Sequence, residues 1–102
     1  MLKKIFLSSD HGGYKLKELV KVFLIKNNYT IEDLGCFSLD AVDYPDYAKI
    51  LSNKLKKYSN SQGILFCGTG IGISMAANRF SHIRAALCTN VEMASKSRKH
   101  NN

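Results

Sequence analysis

Residues 63–80 read GILFCGTGIGISMAANRF, and the changes of character along this stretch decide the fold. Gly63 to Cys67 is an almost uniformly apolar run, the pattern of a central parallel strand covered on both faces. Gly68-Thr69-Gly70-Ile71-Gly72 is too rich in glycine to extend the strand, so it reads as a loop. From Ile73 to about Phe80 the residues suit a short helix. Strand, glycine loop and helix in immediate succession form the unit from which parallel α/β sheets are built.

The flanking sequence repeats that rhythm. Lys4 to Ser8 is a short apolar strand closed by the turn cluster Asp10-His11-Gly12-Gly13. From Tyr14 to about Asn28, Leu16, Leu19, Val20, Phe23 and Leu24 recur at helical spacing. Tyr29 to Leu34 is a second strand. Asp43-Tyr44-Pro45 marks a helix start, with Tyr47, Ile50, Leu51, Leu55 and Tyr58 on one face. Ile83 to Cys88 is expected as a fourth strand and Glu92 to His100 as a last helix. The fold class is therefore α/β, a Rossmann-like three-layer sandwich on a parallel sheet. In such sheets ligands bind outside the carboxyl ends of the strands. The polar loops after the first and third strands both lie there, and they face one crevice if those strands are neighbours.

The chain has 102 residues, enough for one domain. No apolar run approaches the ~18 residues that span a bilayer, and the N-terminal apolar stretch is too short for a signal peptide. Cys36, Cys67 and Cys88 form no CxxC pair, which fits reduced thiols in a cytoplasmic protein. The net charge of +7 invites a nucleic-acid partner. Only Arg79, Arg84 and Arg98 of the basic residues are arginines, however, and lysines such as Lys15, Lys17, Lys21 and Lys26 belong on solvated helix faces. Neither nucleic acid nor a membrane is expected as a partner.

The chemistry concentrates in Cys67-Gly68-Thr69-Gly70-Ile71-Gly72. It lacks the third glycine of a dinucleotide fingerprint and the Gly-Lys-Ser/Thr of a P-loop. What it offers is a run of backbone N–H groups ending at a helix N-terminus, a cradle for a phosphate or a developing oxyanion. Cys67 sits at the strand end beside it, where the positive helix terminus favours the thiolate. A core cysteine beside a tight turn is the plainer alternative. Asp10 and His11 project from the end of the first strand toward the same crevice, or Asp10 simply caps the turn. His82 and His100 carry no partner motif, and Met75 and Met93 read as core filler. No cluster has metal-ligand spacing, so no metal is expected.

Taken together, SSDHGGYKLK, VDYPDYA, ILFCGTGIGISMAANRF, IRAAL and SRKHN resemble ribose-5-phosphate isomerase B and its relatives, the galactose-6-phosphate and allose-6-phosphate isomerases. The motifs occur in the family's order and run through the whole chain. The resemblance implies an aldose–ketose isomerase of the pentose phosphate pathway that interconverts ribose 5-phosphate and ribulose 5-phosphate through an enediolate, with no cofactor. By the same resemblance, Cys67 matches the base. Gly68, Thr69, Gly70, Ile71 and Gly72 match the loop that stabilises the enediolate. Asp10, His11 and Tyr44 match substrate contacts, His100 matches the residue that opens the furanose ring, and Asn101 its substrate-binding neighbour. It also implies a homodimer, or a tetramer, in which His100 and Asn101 face the partner's Cys67 loop. In the galactose enzyme two different subunits are needed and one lacks the cysteine, so Cys67 with His100 in one chain favours the pentose substrate.

One departure follows. Family members continue well past the histidine–asparagine pair, usually with aspartate next, where this chain has Asn102. The continuation supplies a fifth strand that lies between strands three and four, in the order 2-1-3-5-4. Without it the middle of the sheet is expected to stand open, or strand four to pair directly with strand three. A catalytically impaired sugar-phosphate-binding fragment is then the alternative to a competent enzyme.

Overall fold

The computed structural model describes residues 3–102. Three strands, β1 (Lys4–Ser9), β2 (Ile31–Asp33) and β3 (Ser61–Phe66), form one sheet in the order β2-β1-β3, with both pairings parallel. Leu7 stands opposite Asp33 on one side and Ile64 on the other. The first and third strands are therefore neighbours, as the single-crevice reading requires. The helices are α1 (Tyr14–Lys26), α2 (Tyr44–Lys57), α3 (Ile71–Asn78) and α4 (Val91–Asn101).

The sheet's two faces follow from the strand period of two. Ile5, Leu7, Ile64 and Phe66 pack with Val20 and Leu24 of α1. On the opposite face Leu65 and Cys67 join Ala48 of α2 and Ile73, Ala76 and Ala77 of α3. Small residues let α2 and α3 approach closely. Pro45 opens α2 from within its first turn, and Lys54, Lys56 and Lys57 in its last turn suit the negative end of the helix dipole.

Three expectations need correction. Ile83 to Cys88 is not a strand and has not moved onto β3. Among the described residues it pairs with no strand, and α3 holds it from the side. The Asn78 amide donates to the Ala85 carbonyl at 2.8 Å and accepts the Ala85 N–H at 2.7 Å. Ile83 and Ala85 pack on the α2–α3 cluster, and the His82 ring bonds the Ser52 carbonyl at 2.7 Å. A groove of about 1110 Å³ therefore separates β3 from residues 83–88.

The second correction concerns α1. The buried face runs through Lys17, Val20 and Leu24, while Leu16, Leu19 and Phe23 are 55%, 69% and 61% exposed. Lys17, read as a solvated lysine, is fully buried. Its ammonium lies 2.7 Å from Asp33 and 3.0 Å from Glu18, with the Tyr14 and Phe37 rings nearby. Such a charge is tolerable inside only because it is paired. Third, Met75, Met93 and Ile50 are 65%, 42% and 40% exposed, so none of them fills the core.

Asp33 ties this cluster to the loop that follows β2. Burial opposes its ionisation, but Lys17, the Gly35 N–H and Lys21 together outweigh that and hold its carboxyl below the usual range. A depressed carboxylate contributes stability that is present above its unfolded pKa and lost as pH falls through the folded one. The thermal midpoint is thus expected to fall as pH drops below about 4. That acid slope should be shallower in Lys17→Met. Equal slopes in the two proteins would show that the pair is not the origin.

Candidate active site

The site begins where β1 and β3 end side by side. Asp10 follows β1, and its N–H donates to the Phe66 carbonyl at 3.3 Å. Its Oδ1 accepts the Gly13 N–H at 2.9 Å, so the capping role foreseen as the plainer alternative is real. Its other oxygen does something capping does not require. Oδ2 accepts the Cys67 Sγ–H at 3.3 Å. Asp10 is buried and Cys67 half-buried, so the carboxylate fixes the sulfur at the floor of an open crevice. The sequence named both residues but gave no sign that they touch.

Their meeting depends on Gly13. A Cβ there would land on the Phe66 carbonyl and the Cys67 nitrogen. Close approach of the short 3-10 turn His11–Gly13 to the end of β3 is what brings Asp10 to the thiol. Gly12 repeats the contact one residue earlier, where a Cβ would stand 3.0 Å from the Gly68 nitrogen.

Beyond Cys67 the chain enters the predicted cradle. Gly70 has φ +81°, the left-handed conformation that glycine adopts without steric cost, and it caps α3. α3 begins at Ile71, two residues earlier than read from the sequence. Among the described residues, the N–H groups of Gly68, Thr69, Gly70 and Gly72 have no protein acceptor. The Ile71 N–H does, since it donates to Thr69 Oγ1 at 3.1 Å. Four amides at the positive end of a helix, next to a thiol, can receive negative charge that develops on a substrate oxygen.

Tyr44 stands beside the loop. A Cβ at Gly72 would meet its ring at 2.8 Å, so the aromatic ring lies against the loop. His11 is exposed, and its Nδ1 accepts the Val42 N–H at 3.0 Å. That bond leaves Nε2 to carry the proton in the neutral ring. Thus Asp10, His11, Tyr44 and the Cys67–Gly72 segment share one region. His100 and Asn101 sit near the end of α4, a helix with no buried residue. Asn101 lines the groove beside β3, whereas the exposed His100 makes no side-chain hydrogen bond among the described residues. His100 is not among the residues that line this groove with Cys67 and Asn101.

No His, Cys, Asp or Glu cluster suited to a metal occurs among the described residues, and no helix there is long and apolar enough to cross a membrane.

The profile of the family described as Ribose/Galactose Isomerase matches residues 5–102. The chain belongs to the ribose/galactose isomerase family. Ribose-5-phosphate isomerase B of Escherichia coli is 40% identical over 100 residues, covering 98% of this chain and 67% of that protein. The ribose 5-phosphate isomerase of Thermotoga maritima superposes with a TM-score of 0.93 at 47% identity, over 97% of this chain and 68% of its own. The Mycoplasma genitalium ribose-5-phosphate isomerase B, solved with ribulose 5-phosphate bound, gives 0.91 at 41% identity over 99% and 68%. This member of the ribose/galactose isomerase family therefore spans about two thirds of the length of such relatives.

Proposed function

We propose that the chain carries the catalytic loop of an aldose–ketose isomerase acting on ribose 5-phosphate and ribulose 5-phosphate. The observation that carries this reading is the Cys67 thiol, held by Asp10 at the mouth of four unpaired loop amides. Moving a proton between C1 and C2 of an open-chain sugar needs one base in reach of both carbons and donors for the enediolate oxygen. Cys67 takes the proton from one carbon and returns it to the next. Gly68, Thr69, Gly70 and Gly72 supply the donors, and the Ile71 amide joins them only if Thr69 Oγ1 turns away. No electron leaves the sugar, so no cofactor enters.

Asp10, His11 and Tyr44 line the substrate's path, with His11 toward the phosphate. His100 opens the furanose ring and Asn101 binds beside it, both acting in the site of a second subunit. A shared site in a homodimer, or a tetramer, is consistent with the exposure of His100 on α4. Val91 and Met93, 86% and 42% exposed on that helix, suit burial against a partner. The cytoplasm is the expected location, as the free thiols suggest.

A second reading, a sugar-phosphate-binding unit with little turnover, is favoured by the open sheet. The chain alone is expected to bind ribose 5-phosphate weakly and isomerise it slowly. Assaying ribose, allose and galactose phosphates side by side separates the cases. Preference for ribose 5-phosphate supports the pentose reading, preference for a hexose 6-phosphate replaces it, and binding without any turnover leaves the second reading in place.

A further inference from the structure

We infer that Asp10 takes up the thiol proton of Cys67 as Cys67 takes a proton from the sugar, so that the two side chains work as a relay and Cys67 is not a free thiolate. This deepens the proposed reaction and rests on Cys67 being its base. The feature that points to it is a buried carboxylate that no cation meets. Asp10 is 7% exposed. Among the described residues no lysine, arginine or histidine nitrogen lies within ion-pair distance of it. Asp33 shows the usual arrangement, since its carboxylate meets Lys17 at 2.7 Å and Lys21 at 3.0 Å. His11 and Lys17, in the turn and helix that follow Asp10, are engaged elsewhere: one with the Val42 N–H, the other with Asp33 and Glu18. Asp10 has only the Gly13 N–H on Oδ1 and the Cys67 thiol on Oδ2. An ionised carboxylate so placed is costly, and a proton on Oδ2 removes that cost.

The same geometry says where the proton rests. The Cys67 thiol donates to Oδ2 at 3.3 Å, and ionising both groups would set two negative charges at that separation. The opposing influence, the positive end of α3, begins only at Ile71 and fades within about one turn. The resting pair therefore holds one proton, on sulfur. When C2 of the open-chain sugar gives up its hydrogen, that hydrogen bonds to sulfur while the original thiol hydrogen passes to Oδ2. The C2–H electron pair becomes the C1–C2 double bond, the carbonyl pair moves onto O1, and the loop amides receive that charge. One negative charge thus leaves the buried carboxylate as one arrives at the amides. Once the hydroxyl proton has moved from O2 to O1, the relay runs back. Sulfur gives its hydrogen to C1, and Oδ2 returns its proton to sulfur.

The test uses the whole chain and two variants that keep the cap. In Asp10→Asn the amide oxygen still accepts the Gly13 N–H, but the amide nitrogen donates toward sulfur where the carboxylate accepted from it. Asp10→Ser keeps a capping hydroxyl and removes the carboxylate. Iodoacetamide at neutral pH is the probe, with each cysteine followed by mass spectrometry. Buried Cys36 reports that the fold is kept, and exposed Cys88 is the internal reference. Relative to Cys88, Cys67 is expected to react at least about fivefold faster in both variants, because no carboxylate holds its proton and the thiolate is the reactive form. Exchange of the C2 hydrogen of ribose 5-phosphate into heavy water is expected to fall at least about 100-fold in the same proteins. A sulfur that grows more reactive while exchange slows and Cys36 stays protected is not what a loosened fold gives. Cys67 alkylation that is unchanged or slower overturns the inference. So does exchange that keeps the parent rate in Asp10→Asn while Cys67→Ser loses it. Exchange that survives in Cys67→Ser removes the proposed base, and the relay with it. In a chain without measurable exchange the alkylation ratio alone decides.

Discussion

Gly13→Val is expected to unfold the chain or bring it close to unfolding. Any side chain at this position would overlap the Phe66 carbonyl, its carbonyl carbon and the Cys67 nitrogen. These are backbone atoms at the end of β3, paired to β1 through the Asp10 N–H, and they cannot turn aside as a flexible side chain can. Relief requires lifting the His11–Gly13 turn, and α1 behind it, off the sheet. A cost of at least about 3 kcal/mol is expected against a total of roughly 5–15 kcal/mol for a domain. Gly68→Ala is the control, because a Cβ there meets nothing within 4 Å. Urea unfolding followed by circular dichroism reads both. A Gly13→Val midpoint equal to that of Gly68→Ala would mean that the close approach is not required.

Cys67→Ser carries the second large effect. Serine keeps the shape and the hydrogen bond to Asp10, so the crevice and its amides should survive. What is lost is a side chain able to take a proton from carbon near neutral pH, since an alcohol ionises far less readily than a thiol. General-base catalysis is worth about 100- to 10,000-fold, and isomerisation of ribose 5-phosphate is expected to fall by that amount. Affinity for the sugar phosphate should change by no more than about threefold, because the phosphate end and the loop amides are untouched. A variant that retains the parent rate would remove Cys67 from the mechanism. A variant that loses rate and binding together would make the cysteine a packing residue.

The alternation of strands and helices was legible because it rests on local patterns: the apolar run before Cys67, the glycines after it and Pro45 at the start of α2. The absence of a fourth strand was not legible from the residues of 83–88 themselves. IRAAL has strand character, but pairing belongs to two strands, and the edge of β3 lies across a groove. Asn78, which holds the segment instead, is five residues before Ile83 and looks in sequence like an ordinary helix end. On α1, hydrophobicity gave the right helix and the wrong face. Leu16, Leu19 and Phe23 are as apolar as Val20 and Leu24, yet the buried face includes Lys17, whose charge is cancelled by Asp33 and Glu18. Pattern reading cannot see a partner 16 residues away.

The site was half legible. Cys67 and the loop after it stood out by composition, and the crevice followed once the first and third strands were taken as neighbours. The bond from Cys67 to Asp10 joins residues 57 positions apart and has no local signature. Nor has the pairing of Tyr44 with Gly72, since each glycine of the loop looks alike until its surroundings are known. The Thr69–Ile71 bond likewise removes one amide from a cradle that sequence alone would count as five.

The most direct test is the fate of solvent deuterium. Ribose 5-phosphate is incubated in heavy water with the chain, and both sugars are followed by NMR. Ribulose 5-phosphate is expected to appear carrying deuterium at C1, and recovered ribose 5-phosphate to gain it at C2, with no other carbon labelled. Product that forms without any label, at a rate that Cys67→Ser leaves unchanged, would mean that hydrogen passes directly between the carbons. In that case Cys67 is not the base and the proton-transfer mechanism is wrong.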